Sequence, residues 1–167
     1  LFRSDEGISM SQHVISVKVE NKFGVLARVA GLFSARGYNI DSLAVSETEL
    51  PDVSVMTIVV SGDDRIIEQV KKQLNKLIDI IKVTDHNQEN AVQREIVLAK
   101  LNATPTKRNE IYQLAQIFGA RIVGVTNKAI ILEMVSDPET VDNFIELLRP
   151  YAIKELIRTG RVSILKE

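Results

Sequence analysis

Residues 20–26, Glu-Asn-Lys-Phe-Gly-Val-Leu, are the stretch best suited to recognising a small molecule. They join a Val/Ile-rich run, His13 to Val19, to an apolar-periodic run that reaches about Ala35. A chain that leaves a strand and enters a helix presents unpaired backbone N–H groups at the helix start. Together with the positive end of the helix dipole, those donors suit a carboxylate. Asn21 adds a side chain that both donates and accepts hydrogen bonds, as a zwitterion requires. This points to a sensor site for a compound such as an amino acid. A plainer structural account also holds, in which Gly24 relieves a tight connection and Asn21 caps the helix.

Other chemistries are thinly represented. The histidines are His13 and His86, one at a strand start and one in a polar stretch, and neither sits in a nucleophile motif. Asp63-Asp64 reads as a helix cap, and Glu47, Glu49 and Asp52 as a solvated loop, so no catalytic residue is assigned. Cysteine is absent, which excludes disulfides, thiolate catalysis and Cys-based metal sites; no metal site is expected. The net charge of −1 argues against nucleic acid, which would require clustered Lys and Arg. RNA-recognition sheets also stack bases on aromatic residues, and Ile15–Val19 and Val53–Val60 hold none. No apolar run approaches the ~20 residues that span a membrane. Leu1 to Ser9 carries Asp5 and Glu6 without an apolar core, so it reads as an extension outside the fold, with Met10 the natural start. A cytoplasmic location fits these features.

The elements that must position Asn21 and Gly24 follow from hydrophobic spacing. Ile15, Val17 and Val19 alternate with Ser16, Lys18 and Glu20, the pattern of a half-buried strand. Leu26, Val29, Ala30 and Phe33 form a helical stripe, and Gly37 caps it. Asn39 to Val45 is a strand with room for a bulge, followed after Pro51 by the strand Val53 to Val60. Ile67, Val70, Leu74 and Leu77 mark a second helix, and Ile80 to Val83 a closing strand. The order β-α-β-β-α-β is that of a ferredoxin-like fold.

After a polar stretch, the pattern recurs. Ile111, Leu114, Ala115 and Phe118 reproduce the first stripe, and Gly119 closes the helix. Asn127-Lys128 is a hairpin turn, and Asp137-Pro138 opens a helix striped by Val141, Phe144, Leu148 and Tyr151. Strands are expected at 96–101, 122–126, 129–135 and 153–158, with a short extension at 162–165. The expected fold is therefore α+β: two ferredoxin-like βαββαβ domains in tandem, at 10–84 and 94–167, joined by a linker at 85–93. Two helices cover one face of each sheet, so the other face needs a partner within or between chains. The second turn, Leu101 to Asn109, reads as longer and lacks Gly, and Pro105 removes a backbone donor.

The run from His13 to Phe33, with Arg36-Gly37-Tyr38-Asn39-Ile40-Asp41-Ser42-Leu43, Met56-Thr57-Ile58, Gln69 to Leu77 and Arg94-Glu95-Ile96, resembles an ACT domain. More narrowly, the chain from Met10 onward resembles the small regulatory subunits of acetolactate synthase. The resemblance implies that ACT domains pair side by side as a homodimer. A branched-chain amino acid, usually valine, would then bind where the strand–helix turn meets the partner. Asn21, Gly24, Val25 and Leu26 would hold its carboxylate and ammonium, and Asn39 would reach it from the neighbouring protomer. It also implies no active site and no cofactor in this chain. The partner is a catalytic subunit expected to carry thiamine diphosphate and Mg, with FAD a further candidate; this chain would make its activity sensitive to end product. The second domain would keep the fold without the effector site.

Overall fold

The computed structural model describes residues 11–86 and 90–167. The expectations for Leu1 to Ser9 and for Met10, and those for residues 87–89 of the linker, lie outside them. The chain divides into two compact units, one reaching to Ala91 and including Leu165–Glu167, the other spanning Val92–Ile164.

The first unit contains β1 (Ser11–Glu20), α1 (Val25–Ala35), β2 (Ile40–Glu47), β3 (Val53–Gly62), α2 (Asp64–Leu74) and β4 (Ile80–Asp85). Its antiparallel sheet has the order β2-β3-β1-β4, the ferredoxin-like arrangement. Ile15, Val17 and Val19 alternate inward on β1 and meet Met56, Ile58 and Val60 of β3 in one core. Val25, Val29 and Phe33 of α1 and Ile67, Val70 and Leu74 of α2 close that core from the helical side. The expected irregularity in β2 is present, as a register shift between Ile40 and Ser42.

The second part repeats this plan with β5 (Ala91–Asn102), α3 (Arg108–Phe118), β6 (Arg121–Val125), β7 (Ala129–Ser136), α4 (Pro138–Leu148), β8 (Ile153–Arg158) and β9 (Val162–Leu165). The sheet order is β6-β7-β5-β8, and β9 also pairs with β5. A single 3₁₀ turn, Arg149–Tyr151, separates α4 from β8.

Local chemistry explains the element boundaries. Asp63 caps α2 by accepting from Ile66 N–H at 2.9 Å, and Asp137 caps α4 by accepting from Thr140 N–H at 2.9 Å. Pro138 stands in the first turn of α4, where its missing N–H costs nothing. Helix α1 ends in a Schellman motif, with Tyr38 N–H on Phe33 O at 3.0 Å and Gly37 N–H on Ser34 O at 3.1 Å. Ala120 N–H on Ala115 O at 2.8 Å and Gly119 N–H on Gln116 O at 3.3 Å repeat it after α3. Gly37 and Gly119 have φ of 68° and 66°, the left-handed conformation that this ending requires.

Three expectations are corrected. Strand pairing enters the stretch read as linker, since β4 runs to Asp85 and β5 starts at Ala91. Leu77 and Tyr151 lie beyond the ends of α2 and α4, yet both pack against their cores. The second strand–helix turn is longer than the first, as expected, by one residue on element bounds, 103–107 against 21–24. The stripe of α3 is displaced relative to α1. Matching β1's end at Glu20 to β5's end at Asn102, and Gly37 to Gly119, aligns Val29 with Ile111 and Phe33 with Ala115. Phe118 then has Arg36 as its counterpart rather than Phe33; it is only partly buried and meets Phe144 with ring centroids 5.2 Å apart.

Candidate functional site

The turn from β1 into α1 is fixed by backbone hydrogen bonds at both ends. Glu20 N–H donates to Asp79 O at 2.9 Å, and Asn21 N–H donates to Asp52 O at 2.8 Å. Gly24 then occupies the N-cap position of α1 at φ 83°, ψ −4°, where an L side chain is strained. Its carbonyl accepts from Arg28 N–H at 3.0 Å, which starts the helix. No side chain caps α1. The N–H groups of Gly24, Leu26 and Ala27 donate to no acceptor among the described residues, leaving the donors that an anion would use.

Of the residues singled out from sequence, Asn21, Gly24, Val25 and Leu26 lie together on this turn. Asn21 is exposed; its amide donates to Pro51 O at 2.9 Å and to Glu47 Oε1 at 3.4 Å, tying the turn to the loop before β3. Val25 points into the core at 3 % exposure, so its side chain offers no outward apolar surface. That surface comes from Leu26, 44 % exposed, and from Phe23, which is fully exposed. Asn39 is not part of this cluster within the chain. It follows the other end of α1, about 16 Å away at 1.5 Å per residue over 11 residues, and donates to Asp41 Oδ1 at 3.1 Å.

Two residues at the turn escape the sequence reading. Arg28 places Nε and Nη2 on Asp79 Oδ2 at 2.8 and 2.7 Å, and the Asp79 side chain is 10 % exposed. Its remaining nitrogen, Nη1, lies 3.1 Å from where a Cβ on Gly24 would stand. A side chain at position 24 would therefore crowd the guanidinium as well as strain the backbone. The available signal was a cation four residues after the turn glycine, one helical turn along on the same face. Elsewhere, no group of three or more His, Cys, Asp or Glu side chains placed to hold a metal ion occurs among the described residues, and no helix of the described residues is long and apolar enough to cross a membrane.

Comparison with known proteins bears on the fold and the family. The family described as "AHAS small subunit-like ACT domain" matches residues 15–82, and the family described as "Small subunit of acetolactate synthase" matches residues 94–167. The probable acetolactate synthase small subunit of Archaeoglobus fulgidus is 55% identical over 155 residues, covering 93% of this chain and 97% of that protein. The acetolactate synthase small subunit of Mycolicibacterium smegmatis is 46% identical over 152 residues, covering 91% and 89%. The crystal structure of the acetolactate synthase small subunit from Thermotoga maritima superposes with a TM-score of 0.87 at 40% identity, covering 95% of this chain and 99% of that one. The fold and these matches thus define an ACT-type protein built from two ferredoxin-like domains. Both halves match, and the chain belongs to the acetolactate synthase small-subunit family.

Proposed function

We propose that this chain regulates a catalytic acetolactate synthase subunit by binding a branched-chain amino acid, valine first among the candidates, at the Asn21–Leu26 turn. The observation that carries this reading is the helix start: the free N–H groups of Gly24, Leu26 and Ala27 beside the Arg28 guanidinium suit a carboxylate. Asn21 supplies an acceptor for the ammonium group, and Leu26 and Phe23 supply apolar surface for a branched side chain. Two ACT domains pair as a homodimer at this turn, and Asn39 of the neighbouring protomer completes the pocket. The chemistry itself belongs to the catalytic partner, with its thiamine diphosphate and Mg and with FAD as a further candidate. The complex works in the cytoplasm, on the pathway whose end product the effector is.

Effector binding bridges two protomers and shifts their relative orientation, of which the catalytic subunit prefers one. Such coupling amounts to ~1–3 kcal/mol and is reciprocal for binding affinities. Calorimetry with valine, leucine and isoleucine, run with and without the catalytic subunit, tests both points. Heat with at least one amino acid is expected, and the catalytic subunit should change its affinity by the factor that the amino acid changes subunit association. Unequal factors would remove the coupling scheme. An assembly subunit without an effector is the second reading, because φ at Gly24 and the Asn21–Pro51 bond give both residues structural work. No heat with any of the three amino acids would select it.

A further inference from the structure

Asn21 and Asn39 are both anchored with the same polarity. Asn39 Nδ2 donates to Asp41 Oδ1 at 3.1 Å, and Asp41 Oδ2 accepts from Ser61 Oγ at 2.5 Å. Asn21 Nδ2 donates to Pro51 O at 2.9 Å and to Glu47 Oε1 at 3.4 Å. Carboxylates and carbonyls only accept, so the group that each asparagine turns toward its anchor is the NH2. That leaves Oδ1 of both residues, which accepts from no donor among the described residues. Asp41 owes its place to the bulge in β2: Ile40 pairs with Val60 and Ser42 with Val59, and the register passes over Asp41. The second domain keeps the bulge, since Ile122 pairs with Leu132 and Gly124 with Ile131, and the register passes over Val123. There, Arg121 and Val123 stand where the first domain has Asn39 and Asp41, and Ala103 stands where it has Asn21. The bulge belongs to the fold. The two asparagines and the carboxylate on the bulge belong to the first domain alone.

We propose that Asp41, held by Ser61, and the Glu47–Pro51 anchor are positioning elements that lock both asparagines as acceptors, so that the site admits an α-amino acid and rejects the 2-oxo acid of the same carbon skeleton. This rests on the reading that the Asn21–Leu26 turn binds an amino acid, with Asn39 supplied by the neighbouring protomer. The two compounds share a carboxylate and a branched side chain, so the helix-start N–H groups and Leu26 treat them alike. They differ in one group: an ammonium donates three hydrogen bonds, and a ketone donates none. A ketone oxygen would meet two further acceptors and leave all of them unpaired. Unanchored asparagines would turn their NH2 groups toward the ketone. Anchored ones cannot, because the turn sets Oδ1 against another acceptor, Asp41 in one case and Pro51 O in the other. A 2-hydroxy acid, with a single donor, ranks between the two. One amino-group transfer separates the oxo acid from the amino acid, so the sensor answers only to the compound formed after that step.

Calorimetry of the full chain with valine, 2-hydroxy-3-methylbutanoate and 3-methyl-2-oxobutanoate tests this. The native chain should bind the oxo acid at least about tenfold more weakly than valine, with the hydroxy acid between them. In Asp41→Asn the group beside Asn39 donates as well as accepts, and the Asn39 amide is free to turn over. Valine affinity should then fall about tenfold while that of the oxo acid holds or rises, so that most of the preference is lost. Asp41→Glu keeps an acceptor-only partner and should retain the preference. A native chain that binds the oxo acid within tenfold of valine would overturn the proposal. So would an Asp41→Asn chain that binds both compounds more weakly by the same factor, since that assigns Asp41 to structure alone. No heat with valine, leucine or isoleucine in the native chain would fall on the effector reading itself and remove the proposal with it.

Discussion

The two strand–helix turns share a backbone frame and differ in nearly every side chain that could do chemistry. In the first, Asn21 N–H donates to Asp52 O and Glu20 N–H to Asp79 O; in the second, Ala103 N–H donates to Lys128 O and Asn102 N–H to Ala152 O, all at 2.8 to 3.1 Å. The side chains on this common frame diverge. Asn21, Gly24, Arg28 and Asp79 of the first turn correspond in position to Ala103, Thr106, Glu110 and Ala152 of the second. Where the first copy has a left-handed glycine and an exposed amide, the second has Pro105, a buried Ala103 and an N-cap Lys107 in right-handed geometry. Lys107 donates to Pro150 O at 3.3 Å and lies 5.9 Å from the Tyr151 ring centroid, so its charge is engaged with its own domain. Hydrogen bonds between main-chain groups build the turn, and the substituents on it decide whether it can receive a ligand.

The largest effects should appear in the part the copies share. Leu74 and Leu148 are equivalent and both are fully buried. Leu→Ala at each should destabilise its domain by about 2–5 kcal/mol, through lost transfer energy and the cavity left behind. Urea unfolding followed by circular dichroism measures this. A cost below ~1 kcal/mol in only one domain would break the equivalence.

Next in size is the difference in binding. Gly24→Asp brings a carboxylate to the helix start, a Cβ 3.1 Å from Arg28 Nη1, and a strained φ. Amino-acid affinity should fall about 100-fold or more, since an electrostatic repulsion replaces an anion site. Thr106→Asp, at the matching position of the second turn, should leave the calorimetric signal unchanged. Equal losses from both variants would assign the second turn a share in the site.

A smaller effect tests the ion pair that only the first turn has. Arg28→Gln leaves the Asp79 carboxylate, 10% exposed, without its cation. The expected cost is about 1–2 kcal/mol, reduced from the value for a fully buried pair because Arg28 is 48% exposed. Arg28→Gln combined with Asp79→Asn should recover part of it, and Glu110→Gln in the second copy should stay within about 0.5 kcal/mol. Unfolding free energies at pH 7 decide between these outcomes.

These contrasts separate what local pattern carries from what it does not. Strand alternation, the Asp63 and Asp137 caps and the Gly37 and Gly119 endings are legible because each depends on residues a few positions apart. The stripe of α3 is legible too, since Ile111 and Ala115 are buried and Leu114 and Phe118 pack on the same core, but its correspondence with α1 is not. Only the capping glycine and the end of the preceding strand fix which residues of the two helices match. Leu77 and Tyr151 show the converse: apolar spacing continues past a helix end when the following turn packs on the same core. The turn at Asn21–Gly24 was visible as a glycine between a strand and a helix. The Arg28–Asp79 pair was not, since its partners stand 51 positions apart and meet only through the fold.

The smallest contrast concerns the residue after each closing strand. His86 N–H donates to Val14 O at 2.8 Å, and Thr159 N–H donates to Ile96 O at 3.1 Å, the same bond in the two copies. His86 is 6% exposed, and burial pushes its imidazole below the usual 6.5, against the opposing influence of Asp85. A histidine whose pKa is lower in the folded chain binds its proton more readily when unfolded. Its stabilising contribution is therefore complete above pH 6.5 and is lost as pH falls from there towards the folded-state pKa. Thr159 does not titrate in this range. His86→Thr should accordingly flatten the dependence of unfolding free energy on pH between about 7 and 5 while the backbone bond to Val14 persists. A slope of unchanged size in that variant would mean that other groups set the acid sensitivity of the first domain.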